Sequence, residues 1–182
     1  FNITPVETKA SKFKRVRELV GEHKTGIVYC ATRKRVEEVA ETLNSWGVNC
    51  IGYHGGMTEE ERESTQNKFI RKEVDVAVAT NAFGMGIDRS DLRFVVHFEI
   101  PGSVEAFYQE AGRAGRDGEA AHCELLWNYA DTRTQEFFIE GANPGYGTIC
   151  QVYQFFLGEA DGQHEVHASI EEITEAVEVK NG

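Results

Sequence analysis

The 182 residues carry 19 Lys and Arg against 30 Asp and Glu, a net charge of −11, and are 41% hydrophobic and 27% charged. That length suits one compact domain with a modest appendage, and the acidic balance excludes a protein that holds nucleic acid by bulk electrostatics. No apolar run approaches the ~20 residues that span a bilayer and no signal segment opens the chain, so a cytoplasmic protein with no membrane partner is expected.

The chain opens at Phe1 in a polar stretch containing Pro5, which reads as the interior of a longer polypeptide. "SKFKRVRELVGEH" places Phe13, Val16, Leu19 and Val20 at helical spacing, with Ser11 as the expected cap and Gly21 as the expected stop. "GIVYCA" is a short β-forming run and predicts a buried strand. "RKRVEEVAETLNSWG" gathers Val36, Val39, Ala40, Leu43 and Trp46 on one helical face and ends at Gly47, and "CIGY" predicts the next strand. "TEEERESTQNKFIRK" opens with a capping box, Thr58 and Glu61, and predicts a third helix with acidic residues at its positive end.

"VDVAVAT" predicts a central strand and "RFVVHFEI" another, after which Ser103 caps the helix "VEAFYQEA". "HCELLW" is a further strand and "DTRTQEFFIE" a further helix. Strands alternating with helices predict an α/β fold with a mostly parallel sheet covered on both faces, whose ligands bind beyond the carboxyl ends of the strands. After Pro144 the chain predicts an amphipathic helix, an acidic loop and a second helix capped by Ser169 with Glu172 three residues on. This tail reads either as the start of a winged-helix unit or as a docked helical extension. The charge is unevenly spread: residues 1–50 hold nine Lys or Arg against six acids, and residues 158–182 hold one against seven. Cysteines 30, 50, 123 and 150 lack zinc-knuckle spacing and read as buried thiols, with no zinc in this chain.

Four polar or glycine-rich segments carry the chemistry. Beyond successive strands, Thr32, Thr80 and Asn81 offer hydroxyl, amide and backbone donors and Arg33 a charge, a set that suits a single strand's phosphodiester backbone. His54 follows another strand and reads as a satisfied loop histidine unless it joins that set. In "FYQEAGRAGRDG", Gln109, Arg113 and Arg116 can address a nucleotide phosphate, because arginine brings a permanent charge and a rigid donor fork. Asp88, in "GMGID", reads as an acceptor for a ribose hydroxyl, as a holder of Arg116, or as a turn aspartate. No Gly-x-x-x-x-Gly-Lys-Ser/Thr loop and no acidic Mg²⁺ motif appear, so the arginines serve a phosphate that another domain must hold.

The motifs "GIVYCATRKRVEEVA", "YHGGMTEEER", "VAVATNAFGMGIDRSDLRFVVHFEIP" and "YQEAGRAGRDG" resemble, in this order, the second RecA-like lobe of RecQ-family DNA helicases of superfamily 2. The resemblance covers about residues 1–140 and implies a RecA-like three-layer lobe followed by a helical extension over 141–182. It implies a two-lobed motor whose first lobe binds ATP and Mg²⁺ and which moves 3′ to 5′ on single-stranded or forked DNA in a bacterial cytoplasm or nucleoid. On that resemblance Arg116 looks like the arginine finger, with Arg113 and Gln109 as its partners at the γ-phosphate. Gly86 and Asp88 resemble the motif lining the nucleotide, and Thr32, Arg33, Thr80, Asn81, His54 and Gly55 resemble the backbone-gripping positions. The family's usual four-cysteine zinc module has no counterpart here. The alternatives are an RNA helicase lobe of the same superfamily, against which stands Tyr108-Gln109 where the DEAD-box pattern has His-Arg, and a non-catalytic nucleic-acid-binding module.

Overall fold

The computed structural model describes residues 1–84, 87, 89–143, 145–160 and 165–177. In chain order the elements are β1 (Asn2–Pro5), α1 (Lys9–His23), β2 (Gly26–Tyr29), α2 (Arg33–Ser45), β3 (Cys50–Tyr53), α3 (Glu59–Ile70), β4 (Val76–Ala79), β5 (Phe94–His97), α4 (Val104–Ala111), β6 (His122–Trp127), α5 (Asp131–Ala142), α6 (Tyr146–Glu159) and α7 (Ile170–Ala176). The strands form one six-stranded sheet in the order β1-β6-β5-β2-β4-β3, every neighbouring pair parallel. The chain divides into two compact units, Phe1–Gln135 and Glu136–Gly182.

The first unit has three layers because the central strands are apolar on both faces. Along β2, β4 and β5, Val28, Val76, Val78, Phe94 and Val96 pack with Val16 and Leu19 of α1 and Val36, Val39 and Leu43 of α2. The alternate residues Ile27, Tyr29, Ala77, Ala79 and Val95 pack with Phe69 of α3 and Ala111 of α4. Each apolar side chain of these strands thus belongs to one core or the other, as a two-residue period requires. Cys30, Cys50 and Cys123 are free and buried, and Cys150 is half-buried. Burial pushes the Cys50 thiol up to about 11, which keeps it protonated and inert.

Local signals account for the helix boundaries, with two corrections. The Thr58–Glu61 and Ser169–Glu172 capping boxes form at α3 and α7, and Ser103 caps α4. The cap of α1, however, is Thr8, whose hydroxyl accepts from the Ser11 backbone N–H; Ser11, the expected cap, lies inside the helix. Nor does α1 stop at Gly21. It runs on to His23 and ends at Lys24, whose φ of 65° breaks it.

Strand β1 went unanticipated. It pairs only with β6, its four residues are mostly exposed, and Pro5 is tolerated because an edge strand need not donate on its open side. In the second unit α6 and α7 pack together, with Phe156, Leu157, Val166 and Ile173 lining an apolar hollow between them.

A buried carboxylate fastens this edge. Glu124 of β6 accepts from Arg15 Nε at 2.9 Å and Nη2 at 2.9 Å and from Thr4 Oγ1 at 2.7 Å, and lies 2.6 Å from His122 Nε2. Burial alone would raise its pKa, but these partners outweigh it and hold the carboxyl down to about 2. A depressed carboxylate contributes stability that is complete above its unfolded value and is lost as pH falls through its folded one. The acid limb between about pH 4.5 and 2 should therefore be flatter in Glu124→Gln than in the unaltered chain, read by urea midpoints. Arg15→Ala should cost roughly 3 kcal/mol at neutral pH by leaving that buried charge under-paired.

Candidate nucleic-acid and nucleotide interface

Six of the expected site residues follow the carboxyl ends of three adjacent strands. Thr32 and Arg33 follow β2, Thr80 and Asn81 follow β4, and His54 and Gly55 follow β3. Because β2, β4 and β3 are neighbours in that order, these loops form one continuous rim.

The rim is electrostatically unusual for an acidic chain. Thr32 caps α2, its hydroxyl accepting from the Arg35 backbone N–H and keeping its own O–H as a donor. The first turn of α2 then carries Arg33, Lys34 and Arg35 and no acid, although the positive end of a helix dipole disfavours cations. Arg35 is neutralised by Glu99 and Glu38, while Arg33 and Lys34 are exposed and form no ion pair with any described residue. Two free cations on a helix N-terminus make a locally anion-seeking surface.

Glu99 braces this turn. It is buried, accepts from the Ala31 backbone N–H at 2.9 Å and from Arg35 Nε at 2.9 Å, and so grips both sides of Thr32 and Arg33. At β3, His54 Nδ1 accepts from the Gly56 N–H at 3.2 Å and Nε2 lies 3.4 Å from Glu37 Oε1. Both ring nitrogens are thus engaged within the protein. Gly55 is exposed beside the Arg33 guanidinium, Thr80 is buried, and Asn81 is exposed with no side-chain hydrogen bond to a described residue.

The arginine segment lies elsewhere in the chain but meets the same loop. Residues 112–118 follow α4 and cross the α3/α4 face of the sheet. Gly115 has φ of +66°, and a Cβ there would sit 2.7 Å from the Glu119 carbonyl, so this turn needs glycine. Arg113 Nη1 donates to the Gly84 carbonyl at 2.8 Å, and Arg116 Nη1 to the Ile87 carbonyl at 3.4 Å. A side chain at residue 84 would collide with the Arg113 guanidinium.

Neither arginine pairs with a described carboxylate, whereas Arg15, Arg35, Arg62, Arg89 and Arg93 all do. Arg113 Nε is a buried donor with no partner among the described residues. Burial pushes the Tyr29 hydroxyl up while nearby Arg113 pulls it down, which places that phenol against the guanidinium. Gln109 is exposed on α4 with no side-chain hydrogen bond to a described residue. Gly86 and Asp88 lie outside the described residues.

The structure therefore builds two anion-facing groups, the rim and the arginine segment, joined by the loop that begins at Thr80 and passes Gly84 and Ile87. The sequence reading missed Glu99, His97 and Glu110, all buried and polar. Their partners are 13 to 68 residues away, so the only available signal was a charged or polar residue inside an apolar run.

A three-layer parallel α/β sheet of this kind is that of a RecA-like lobe. Residues 11–118 match the helicase conserved C-terminal domain. The ATP-dependent DNA helicase RecQ of Bacillus subtilis is 50% identical over 118 residues, covering 65% of this chain and 20% of that protein. A putative ATP-dependent RNA helicase of Acanthamoeba polyphaga mimivirus is 42% identical over 121 residues, covering 66% and 22%. A crystal structure of a DEAD box protein from Methanococcus jannaschii superposes with a TM-score of 0.64 at 25% identity, covering 78% of this chain and 39% of that one. The chain belongs to the helicase conserved C-terminal domain family, in its RecQ type. It spans about a fifth of the length of such curated relatives.

Glu99→Ala would leave the Ala31 N–H and the Arg35 guanidinium unpaired. A loss of about 2–4 kcal/mol is expected in urea unfolding, because breaking a buried charged hydrogen bond strands its partners.

Proposed function

We propose that this chain is the second motor lobe of a 3′-5′ ATP-dependent DNA helicase, supplying an arginine finger and contacts to a single strand's phosphates, and inactive without its first lobe. The observation that carries this reading is the pair of guanidinium groups at 113 and 116, which have no carboxylate partner among the described residues and bond the Gly84 and Ile87 carbonyls. A cation without an internal counter-charge is costly to keep unless an external anion meets it.

The residues fit a nucleotide phosphate supplied from outside the lobe. The unpartnered Arg113 Nε is a donor awaiting an acceptor, and Arg116 has only two long bonds of 3.4 Å to give up. ATP with Mg²⁺ provides a phosphoryl group whose charge redistributes as it transfers. In this reading Arg116 meets the charge developing on the γ-phosphoryl oxygens, Arg113 and exposed Gln109 orient that group, and Gly86 and Asp88 line the nucleotide. The first lobe holds the phosphates and metal, so closure of the two lobes assembles the site.

At the rim, Arg33 and the Thr32 hydroxyl contact successive phosphates, with Asn81, Thr80 and the Gly55 backbone beside them, and His54 shaping the turn through its bond to Gly56. Residues 1–140 form the lobe, and 141–182 are its helical extension, either docked or opening a winged-helix unit. The compartment in this reading is the cytoplasm; no described helix is long and apolar enough to cross a membrane. DNA is preferred to RNA because Tyr108 and Gln109 stand where the DEAD-box pattern places His-Arg, and B. subtilis RecQ is named a DNA helicase.

The deciding experiment is DNA-stimulated ATP hydrolysis by the polypeptide containing both lobes. Arg116→Ala should lower kcat by about 10³-fold or more with nucleotide binding retained, as removing a finger does. Unchanged turnover would assign Arg116 a structural or DNA-gripping part. The 182-residue chain alone should show no turnover, and steady hydrolysis by it would defeat the two-lobe reading.

Arg33→Ala should weaken binding of single strands equally across sequences and reduce the dependence of log Kd on log salt by about 0.7–1. An unaltered salt slope in a fluorescence-anisotropy titration would remove Arg33 from the phosphate contacts.

A further inference from the structure

Most buried ionisable groups of the first unit have plain structural work: Glu124 fastens the sheet edge, Lys12 ties α1 to Asp131 and the Phe98 carbonyl, and Arg89 ties the carbonyls of Phe69 and Val74. One pair stands apart. His97 ends β5, is 1% exposed, and sits 2.8 Å through Nε2 from Glu110 Oε2 on the last turn of α4. Its other ring nitrogen, Nδ1, is buried with no partner among the described residues.

The surroundings of this pair lead to the arginine segment. The Tyr29 ring stacks on His97 at 5.4 Å between centroids and 19° between planes, and Phe107 packs on it at 4.9 Å. The Tyr29 hydroxyl donates to the Phe83 carbonyl at 3.0 Å, and the next carbonyl, that of Gly84, takes Arg113 Nη1. Glu110 lies three residues before Arg113, in the turn from which that side chain emerges, and the Arg113 N–H donates to the Glu110 carbonyl at 3.2 Å. Arg113 is thus bounded on one side by a helix end pinned through Glu110 and on the other by a carbonyl pinned through Tyr29, and His97 touches both pins.

Stability alone does not account for this arrangement. Burying His97, in a strand otherwise made of Phe94, Val95 and Val96, against Glu110 of α4 takes two polar groups from water and leaves one nitrogen without a partner among the described residues. Apolar residues of similar volume are often as stable or more so. What an apolar replacement lacks is direction: a hydrogen bond fixes where the last turn of α4 sits relative to β5, and contact between hydrocarbon surfaces does not.

We propose that Glu110 and His97 are positioning residues that hold the last turn of α4 so that Arg113 remains against the Gly84 carbonyl with Nε turned to its phosphate. The inference rests on the motor reading above and goes beyond it by assigning two residues that touch neither nucleotide nor DNA.

The test uses the two-lobed polypeptide and three forms of the pair. Glu110→Ala should lower kcat for DNA-stimulated ATP hydrolysis by about 10–100-fold, the cost of an ~1 Å misplacement, with KM for ATP and Kd for single-stranded DNA within about twofold. Glu110→Gln keeps an acceptor for Nε2 and should recover kcat to within about threefold of the unaltered protein. The double variant His97→Phe/Glu110→Met fills the same space without a hydrogen bond, and it carries the test if Glu110→Ala does not fold. It should melt at or above the unaltered temperature yet keep the kcat defect.

Equal kcat in a folded double variant would overturn the proposal, as would a Glu110→Gln no better than Glu110→Ala. A second readout does not depend on turnover: modification of Arg113 by phenylglyoxal, followed by mass spectrometry, should be several-fold faster in both variants that lack the hydrogen bond. Unchanged Arg113 reactivity in them would likewise overturn it. An unaltered polypeptide that turns over no ATP defeats the motor reading, and the clamp then stands or falls on the Arg113 rates.

Discussion

Every residue of β2, β4 and β5 is buried, and each of these three strands is paired on both sides, so none has an open edge. That constraint shapes the rest of the molecule. A strand covered on both faces has no surface on which to place a reactive group, so chemistry is confined to where the chain leaves the sheet or crosses its helical layers. Adjacent order of β2, β4 and β3 then makes one rim from three loops distant in sequence. The opposite consequence falls on the α3/α4 layer: because Tyr29 and His97 end their strands facing it, the polar groups that steady the arginine segment are drawn from the sheet itself.

The charge distribution follows the same division. An acidic chain gains nothing by holding nucleic acid everywhere, and a net charge of −11 opposes indiscriminate binding to phosphate. Where cations gather at the start of α2, carboxylates neutralise Arg35, the one that also bonds Glu99, and leave Arg33 and Lys34 exposed. Fixed, paired charge shapes the turn, while the charge with no partner among the described residues faces outward. Arg93 and Arg116 show the same contrast: Arg93 pairs with Asp117 and secures the segment, while Arg116 has only carbonyls among its described partners.

Local order in the sequence was legible wherever a short-range rule applied. Short apolar β-forming runs marked β2, β4 and β5, with Val and Ala alternating only in β4, and capping boxes marked the starts of α3 and α7. Thr8 and Ser11 expose the limit of such rules, since both are good caps and the choice depends on where α1 meets the sheet. Gly21 failed as a stop because tertiary packing of Val16, Leu19 and Val20 outweighs roughly 1 kcal/mol of glycine's helix propensity. Strand β1 was invisible for the opposite reason: its four residues contain a proline and hardly any buried surface, and only pairing with β6, more than a hundred residues away, makes it a strand. The candidate loops were readable because their polar and glycine-rich chemistry is written in consecutive letters. Their braces were not, since Glu99, Glu110 and His97 acquire meaning only from partners the fold brings to them.

The loop beginning at Thr80 is where these strands of argument meet. Its first residues belong to the rim beside β2 and β3, and the carbonyls of Phe83, Gly84 and Ile87 receive Tyr29, Arg113 and Arg116 in turn. Any displacement of the arginines must loosen or drag those carbonyls, and from Gly84 the backbone reaches Asn81 and Thr80 within four residues. No separate lever is needed between the two groups, because one short stretch of chain is a wall of both. Gly84 makes the contact possible: with a side chain at that position the Arg113 guanidinium would be pushed off its carbonyl, and the two halves of the interface would lose the bond through which they share a position.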